Sequence, residues 1–166
     1  MFRRLFACLV AGIILCACQP LNDERIPMMP VYIDLSNPGI WSTYGVFGFG
    51  DFRYFIMEDR DPPGFPYTYN SATGYGGVLL VGGQNAYTGE AGPLAYDLSC
   101  PVERMPDVRV FYDPNIMMAV CPVCRSIYDV VEAGGAPKDG PALGMHLAMT
   151  PYSVYGTNTG GVIISR

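Results

Sequence analysis

The chain has 166 residues, of which 50% are hydrophobic and 15% are charged, and its formal net charge is −5. An acidic chain whose single lysine is Lys138 has no basic surface for a phosphate backbone, so we predict no nucleic-acid binding. The length suits one domain with a modest core.

The N-terminus has the features of a bacterial secretory signal. Arg3 and Arg4 precede an apolar run over residues 5–15, which is too short to span a bilayer as a helix. Residues 15–18, Leu-Cys-Ala-Cys, resemble a lipobox, where bacterial lipoproteins are cleaved and acylated on cysteine. The resemblance implies a signal peptide over residues 1–17, lipidation of Cys18, and anchoring to the outer membrane of the envelope, on its periplasmic or surface face. A cleaved signal without lipid is the alternative.

The rest of the chain predicts an all-β fold. Residues 18–30 are polar and contain three prolines, which predicts a short tether, and residues 31–166 are expected to form a single β domain. The chain contains 20 Gly and 15 Pro, and no window shows an apolar stripe at helical spacing. Short strands between turn signals favour a small sandwich or barrel.

The predicted elements follow in chain order. Strands over residues 31–35 and 51–56 flank a helical turn that starts at residues 36–38 and reaches Trp41. Residues 59–77 predict a long loop. Further strands are predicted over residues 77–81, 94–98, 108–112, 116–120, 127–131, 152–156 and 162–165, and the glycine-rich residues 82–86 are predicted to form a turn.

Cysteines directly follow two of these strands. Cys100 comes after the strand over 94–98, and Cys121 and Cys124 come after the strand over 116–120. Strand ends that lead into two cysteine loops can present metal ligands at one tip of a β scaffold.

In this context residues 76–166 resemble a Rieske-type iron–sulfur domain, and the whole chain is similar to a group of Rieske-like lipoproteins of Bacteroides-type bacteria. Cys100 and Cys121 match the two cysteine ligands of the family. Ser126 and Tyr128 match positions whose hydroxyls donate hydrogen bonds toward the cluster. The resemblance implies a sandwich or barrel with both cysteine loops at one tip.

The chain departs from the family at both histidine ligands. Val102 stands at the first histidine position and Cys124 at the second, although the Gly-Pro-Ala at residues 140–142 matches the loop that packs over the cluster. A valine cannot bind metal, so the second iron would carry one thiolate and an open position for water or Glu103. A thiolate in place of a neutral imidazole would also lower the reduction potential.

Three interpretations of the cysteines stay open. A disulfide is the first expectation, because thiols outside the cytoplasm tend to oxidise, and it implies no cofactor. The second is metal: a [2Fe-2S] cluster with Cys100, Cys121 and Cys124 as ligands or, less favoured, a zinc ion on the same thiolates. The third is free thiols, inert or redox-reactive, including a thioredoxin-like use of Cys121 and Cys124, although thioredoxin motifs open a helix.

The predicted function is an envelope-anchored lipoprotein whose Rieske-like domain has a degenerate iron–sulfur site and acts as a binding or structural module. Its partners would be the membrane, through Cys18, and an unidentified protein. The alternative is electron transfer through an atypical [2Fe-2S] cluster held by three cysteines. An enzyme is less expected, because no acid–base pair or substrate site can be assembled. His146, the single histidine, is expected on the surface or in the core.

Overall fold

A computed structural model describes residues 21–23 and 25–166, so the predicted signal peptide and the Cys18 lipidation site lie outside the described residues. The predicted all-β fold is confirmed: the described chain forms strands with two short helices. No helix in this described part is long and apolar enough to cross a membrane.

The strands form two sheets. Seven strands in the order β2-β4-β5-β10-β11-β1-β3 curl into a nearly closed barrel, and β6, β7, β8 and β9 form a second sheet in chain order. The strands are β1 Val31–Leu35, β2 Phe52–Phe55, β3 Ala72–Thr73, β4 Val78–Gln84, β5 Ala91–Asp97, β6 Phe111–Asp113, β7 Met118–Val120, β8 Ile127–Asp129, β9 Ala136–Asp139, β10 Pro151–Gly156 and β11 Val162–Ser165; the helices are α1 Pro38–Tyr44 and α2 Pro141–Met145.

The strongest sequence patterns give the elements that match best. The alternating residues of β1 are buried and exposed in turn, and β1 pairs antiparallel with β11 from Tyr32 opposite Ser165 to Leu35 opposite Val162. Helix α1 starts after Asn37, whose side-chain oxygen accepts the N–H groups of Gly39 and Ile40. It ends at Tyr44, beyond the predicted end at Trp41.

The predicted turn over residues 82–86 is wrong in its first half, because Gly82, Gly83 and Gln84 extend β4 opposite β5. A Cβ atom on Gly82 would lie 2.0 Å from the carbonyl oxygen of Gly48, and one on Gly83 would lie 2.4 Å from that of Val131. These glycines therefore allow neighbouring chain to pass close over a strand, which is the other common reason for glycine in a strand.

Other predicted bounds shift where the chain contacts the first cysteine loop. The strand predicted over 108–112 starts only at Phe111, since Val108 accepts the N–H of Cys100 and Val110 donates to Leu98. Strand β9 and helix α2 were not predicted; β9 contains Pro137, which is atypical of a strand interior.

Pairing between β5 and β10 is short because β5 contains a proline. The ladder stops after Ala95 opposite Tyr152. The N–H of Asp97 donates to the carbonyl of Thr150. Backbone polar groups alternate between the two sides of a strand, so those of residues 95 and 93 also face β10. Residue 93 is a proline without an N–H, so the ladder ends there, and β10 continues alongside β11.

Two apolar clusters form the core of the described residues, and β4 contributes to both. Its residues Val78 and Leu80 face the barrel interior, whereas Leu79 and Val81 face the second sheet. All four side chains are fully buried, which explains the continuous apolar run. Cys100 belongs to the cluster between the barrel and the second sheet, so the cysteine loops are anchored in this core.

The described part of the predicted tether contacts the domain. Asn22 donates its N–H to the carbonyl of His146, and Ala148 donates to the carbonyl of Asn22. The hydroxyl of Thr150 donates to the carbonyl of Asp23, and Ile26 is buried.

Candidate metal centre

The fold brings Cys100, Cys121 and Cys124 together just beyond the ends of β5 and β7. Their three sulfur atoms lie within 4.8 Å of one another, and the Sγ atoms of Cys100 and Cys124 are 3.6 Å apart. All three are free thiols. Cys100 and Cys121 are fully buried and Cys124 is partly exposed, so the site opens to solvent on the side of Cys124.

The two cysteine loops share a sequence motif and a backbone turn. Cys-Pro-Val-x-Arg occurs at residues 100–104 and again at 121–125. The N–H of Arg104 donates to the carbonyl of Cys100 at 2.8 Å, and the N–H of Arg125 donates to that of Cys121 at 3.1 Å. Both arginines adopt left-handed backbone angles, with φ of 58° and 63°. Sequence reasoning missed this equivalence, although the repeated motif signals it.

Hydrogen bonds from the second loop reach the sulfur atoms. The backbone N–H groups of Val123 and Cys124 donate to the sulfur of Cys121. The sulfur of Cys124 lies 3.2 Å from the hydroxyl oxygen of Ser126, which also accepts the N–H of Ala142 in α2 at 3.0 Å. Donors that point at sulfur favour thiolates over thiols and prepare both side chains for a cation.

The pKa values of the two thiols in this loop are shifted in opposite directions. Burial raises the pKa of Cys121 above its ordinary value, against the effect of its two backbone donors. Burial also acts to raise the pKa of Cys124, but hydrogen bonds with Ser126, Cys121 and Cys100 together outweigh it and hold that pKa below its ordinary value. Cys124 is therefore the thiol that ionises most readily in the loop.

Tyr128 lies beneath the first cysteine. Its hydroxyl oxygen is 3.5 Å from the sulfur of Cys100, and the side chain is fully buried. Burial and the neighbouring sulfur raise the pKa of Tyr128, so the phenol stays protonated and can donate to a thiolate. The structure thus places Ser126 and Tyr128, both named from the sequence, against Cys124 and Cys100 respectively.

Asp97 fixes the first loop and was missed by sequence reasoning. Its buried carboxylate accepts the N–H groups of Tyr75, Gly76 and Ser99 and the hydroxyl of Tyr152. Burial raises its pKa, and these four donors oppose that rise. The available signal was an acidic residue at the end of an apolar strand, three positions before a cysteine.

The remaining candidates do not join the sulfur atoms. Val102 packs against the apolar cluster, and neither Glu103 nor His146 belongs to the group of ligand atoms found among the described residues. His146 is exposed, which is one of the two locations expected for it, and it follows α2 with a left-handed φ of 54°.

The sulfur geometry can be compared with metal coordination. Zinc binds thiolate sulfur at about 2.3 Å, so two ligands of one tetrahedral ion lie about 3.8 Å apart. The distance of 3.6 Å between Cys100 and Cys124 fits that spacing, and the third sulfur is within 4.8 Å of both. The three cysteines can therefore bind a metal ion.

Comparisons with known proteins add no identity to this geometry. No protein-family model matches the chain, and no curated protein matches it either.

Proposed function

We propose that this protein is a metal-binding module in which Cys100, Cys121 and Cys124 hold one thiophilic ion, with zinc as the best-suited ion. The observation that carries the proposal is the convergence of three sulfur atoms, from two loops, within 4.8 Å. Soft thiolate ligands select zinc, copper(I) and iron over hard cations. A bound ion would join the loop that follows β5 to the loop that follows β7.

The spacing of the sulfurs favours one ion over a two-iron cluster. In the cluster implied by the Rieske resemblance, Cys124 would bind the second iron, and the two irons hold their protein ligands on opposite sides of the bridging sulfides. Cys124 would then be well separated from Cys100. Its sulfur is instead 3.6 Å from that of Cys100, in the range of two ligands on a single ion.

Three thiolates leave one coordination position for a non-protein ligand. Zinc sites with three protein ligands complete their tetrahedron with water or another small ligand. The partial exposure of Cys124 gives such a ligand a route from solvent, while the other two cysteines are buried. We expect a site that binds and releases its ion through this opening.

Cobalt(II) titration of the reduced full chain tests the proposal, because thiolate-to-cobalt absorption reports the number of sulfur ligands. We expect one ion per chain with three sulfur ligands, displaced by zinc. Serine at Cys100, Cys121 or Cys124 should each weaken binding, whereas the same substitution at Cys8, in the predicted signal peptide, should not. Unchanged cobalt spectra in the three site variants would refute the proposal.

Electron transfer is a second candidate, and one observation favours it. The hydroxyls of Tyr128 and Ser126 lie beside the sulfurs of Cys100 and Cys124, as expected for groups that tune an iron–sulfur centre. Purification without oxygen, followed by visible absorbance and assays of iron and sulfide, separates the two candidates. A native chromophore with two irons and inorganic sulfide would replace the single-ion proposal with the Rieske-type carrier.

We also propose that the module is held at the bacterial envelope through acylated Cys18, on the strength of the lipobox-like residues 15–18. Metabolic labelling with a fatty acid, followed by fractionation, tests this. Cys18→Ser should remove the label and release the protein from membranes, and Cys16→Ser is the matched control that should retain it. Labelling that survives Cys18→Ser would refute the anchor.

A further inference from the structure

Two of the three thiols in the cysteine site, Cys124 and Cys100, differ in their access to solvent. Cys124 is partly exposed, and its neighbours Val123 and Arg125 are exposed, so a molecule in solution can reach this side of the loop. Cys100 is fully buried directly behind it, with its sulfur 3.6 Å away. An accessible thiol backed by a buried one is the arrangement that dithiol–disulfide exchange needs.

We propose that, when free of metal, this site reduces disulfides, with Cys124 as the attacking thiol and Cys100 as the resolving thiol. This activity goes beyond the metal binding proposed above and uses two of the same sulfur atoms. The substrate class is an accessible disulfide, from a small thiol compound or from another protein, with one sulfur exposed to attack.

The reaction balances in two exchange steps. The thiolate of Cys124 attacks one sulfur of a substrate disulfide, forms a mixed disulfide with it, and releases the other substrate sulfur as a thiol after protonation. The thiolate of Cys100 then attacks the Cys124 sulfur, which releases the second substrate thiol. The substrate gains two electrons and two protons, and the pair of cysteines loses them in forming a Cys100–Cys124 disulfide.

The geometry supports the resolving step. A disulfide bond is about 2.05 Å long, so the two sulfurs must approach by about 1.5 Å from their separation of 3.6 Å. The two residues are on different loops, so their disulfide would join the loops rather than close a small ring within one turn. Rotation of the partly exposed Cys124 side chain supplies this movement most readily.

Cys121 is less suited to resolve the mixed disulfide, although it forms the Cys-x-x-Cys pair with Cys124. Its sulfur accepts the N–H groups of Val123 and Cys124, and a disulfide within the loop would take it away from both donors. The structure therefore assigns the resolving role across the loops and not to the thioredoxin-like spacing considered from the sequence.

The test uses the full chain with Cys8, Cys16 and Cys18 replaced by serine, so that only the three site thiols remain. The protein is reduced, treated with a chelator, and mixed with glutathione disulfide. We expect release of glutathione thiol and, by peptide mass spectrometry, a disulfide between Cys100 and Cys124.

Three variants in this background make the test specific. Cys124→Ser should abolish glutathione release. Cys100→Ser should release half as much and accumulate glutathione on Cys124. Cys121→Ser identifies the resolving thiol, because the same half release in that variant would assign the role to Cys121 and overturn the proposal. Circular dichroism of each variant establishes that it is folded. A folded parent that does not react, or a disulfide that maps to Cys121, would overturn the proposal.

A zinc arm distinguishes this inference from the metal proposal. Zinc that binds and blocks the exchange supports both. If the protein exchanges disulfides but binds no ion, only the metal proposal is refuted. If it binds an ion but shows no exchange after the ion is removed, only the dithiol proposal is refuted.

Discussion

Replacement of Asp97 by alanine should destabilise the domain and disturb the metal centre together. The carboxylate is fully buried and accepts three backbone N–H groups, from Tyr75, Gly76 and Ser99, as well as the hydroxyl of Tyr152. A buried donor left without a partner costs about 1 to 2 kcal/mol, so the three backbone groups together cost about 3 to 6 kcal/mol. Removal of a buried charge offsets part of this cost, and we expect a net loss of about 2 to 4 kcal/mol.

Urea denaturation followed by the fluorescence of Trp41, the single tryptophan, measures this loss. The same variant should bind cobalt(II) more weakly, because Ser99 and with it Cys100 lose their fixed position. Tyr152→Phe is the control: it removes one of the four donors and should cost only about 1 kcal/mol. A loss below about 1 kcal/mol in Asp97→Ala, or an unchanged cobalt affinity, would refute the reasoning.

The raised pKa of Asp97 also predicts how the free energy of unfolding changes with pH. Burial raises its pKa in the folded protein, so the native state binds this proton more tightly than the unfolded chain does. The free energy of unfolding should therefore fall as pH rises from the ordinary aspartate pKa through the raised one. Asp97→Asn should lack this slope, and an equal slope in both proteins would contradict the assignment.

Three further predictions concern the second loop, the second sheet and the barrel core. Ser126→Ala removes a donor that lowers the pKa of Cys124, so alkylation of Cys124 near neutral pH should slow several-fold; an unchanged rate would contradict this role. Asp129 has a pKa below its ordinary value, because backbone donors and Lys138 outweigh its burial, so its contribution to stability is present above the ordinary aspartate pKa and is lost as pH falls through the lowered one. Asp129→Asn should flatten that acid decline in urea titrations. Phe55→Ala, at a fully buried ring in the barrel, should cost about 3 to 5 kcal/mol, and a cost near zero would mean that the ring is not part of the core.

Part of this fold follows from local pattern alone. The alternation in β1 predicts a strand because burial there alternates with the strand period of two, and the apolar run in β4 predicts a strand that is buried on both faces. The helix start at Asn37 follows from a side chain that caps its own helix. The positions of Cys100 and Cys121, just after strands, predict loops that can present ligands.

Other features depend on chain segments that are distant in sequence. The local sequence at Gly82 and Gly83 predicts a turn. The structure shows that these positions are glycine because the backbone of Gly48 and Val131 lies where a Cβ atom would be. Asp97 resembles an ordinary acidic residue at a strand end, but four donors converge on it, and three of them, from Tyr75, Gly76 and Tyr152, are more than 20 residues away in sequence. No local pattern reports such contacts, because they exist only once the sheets have packed.

The amino-acid sequence by itself determined the all-β class, the two cysteine loops and the three thiols that can bind a metal. Only the tertiary structure decided that Cys124 lies 3.6 Å from Cys100, across two loops, and that Cys124 is partly exposed while Cys100 is buried. The physical reason is that spacing along a chain sets which residues share a loop, whereas the packing of the barrel against the second sheet sets the distance between loops.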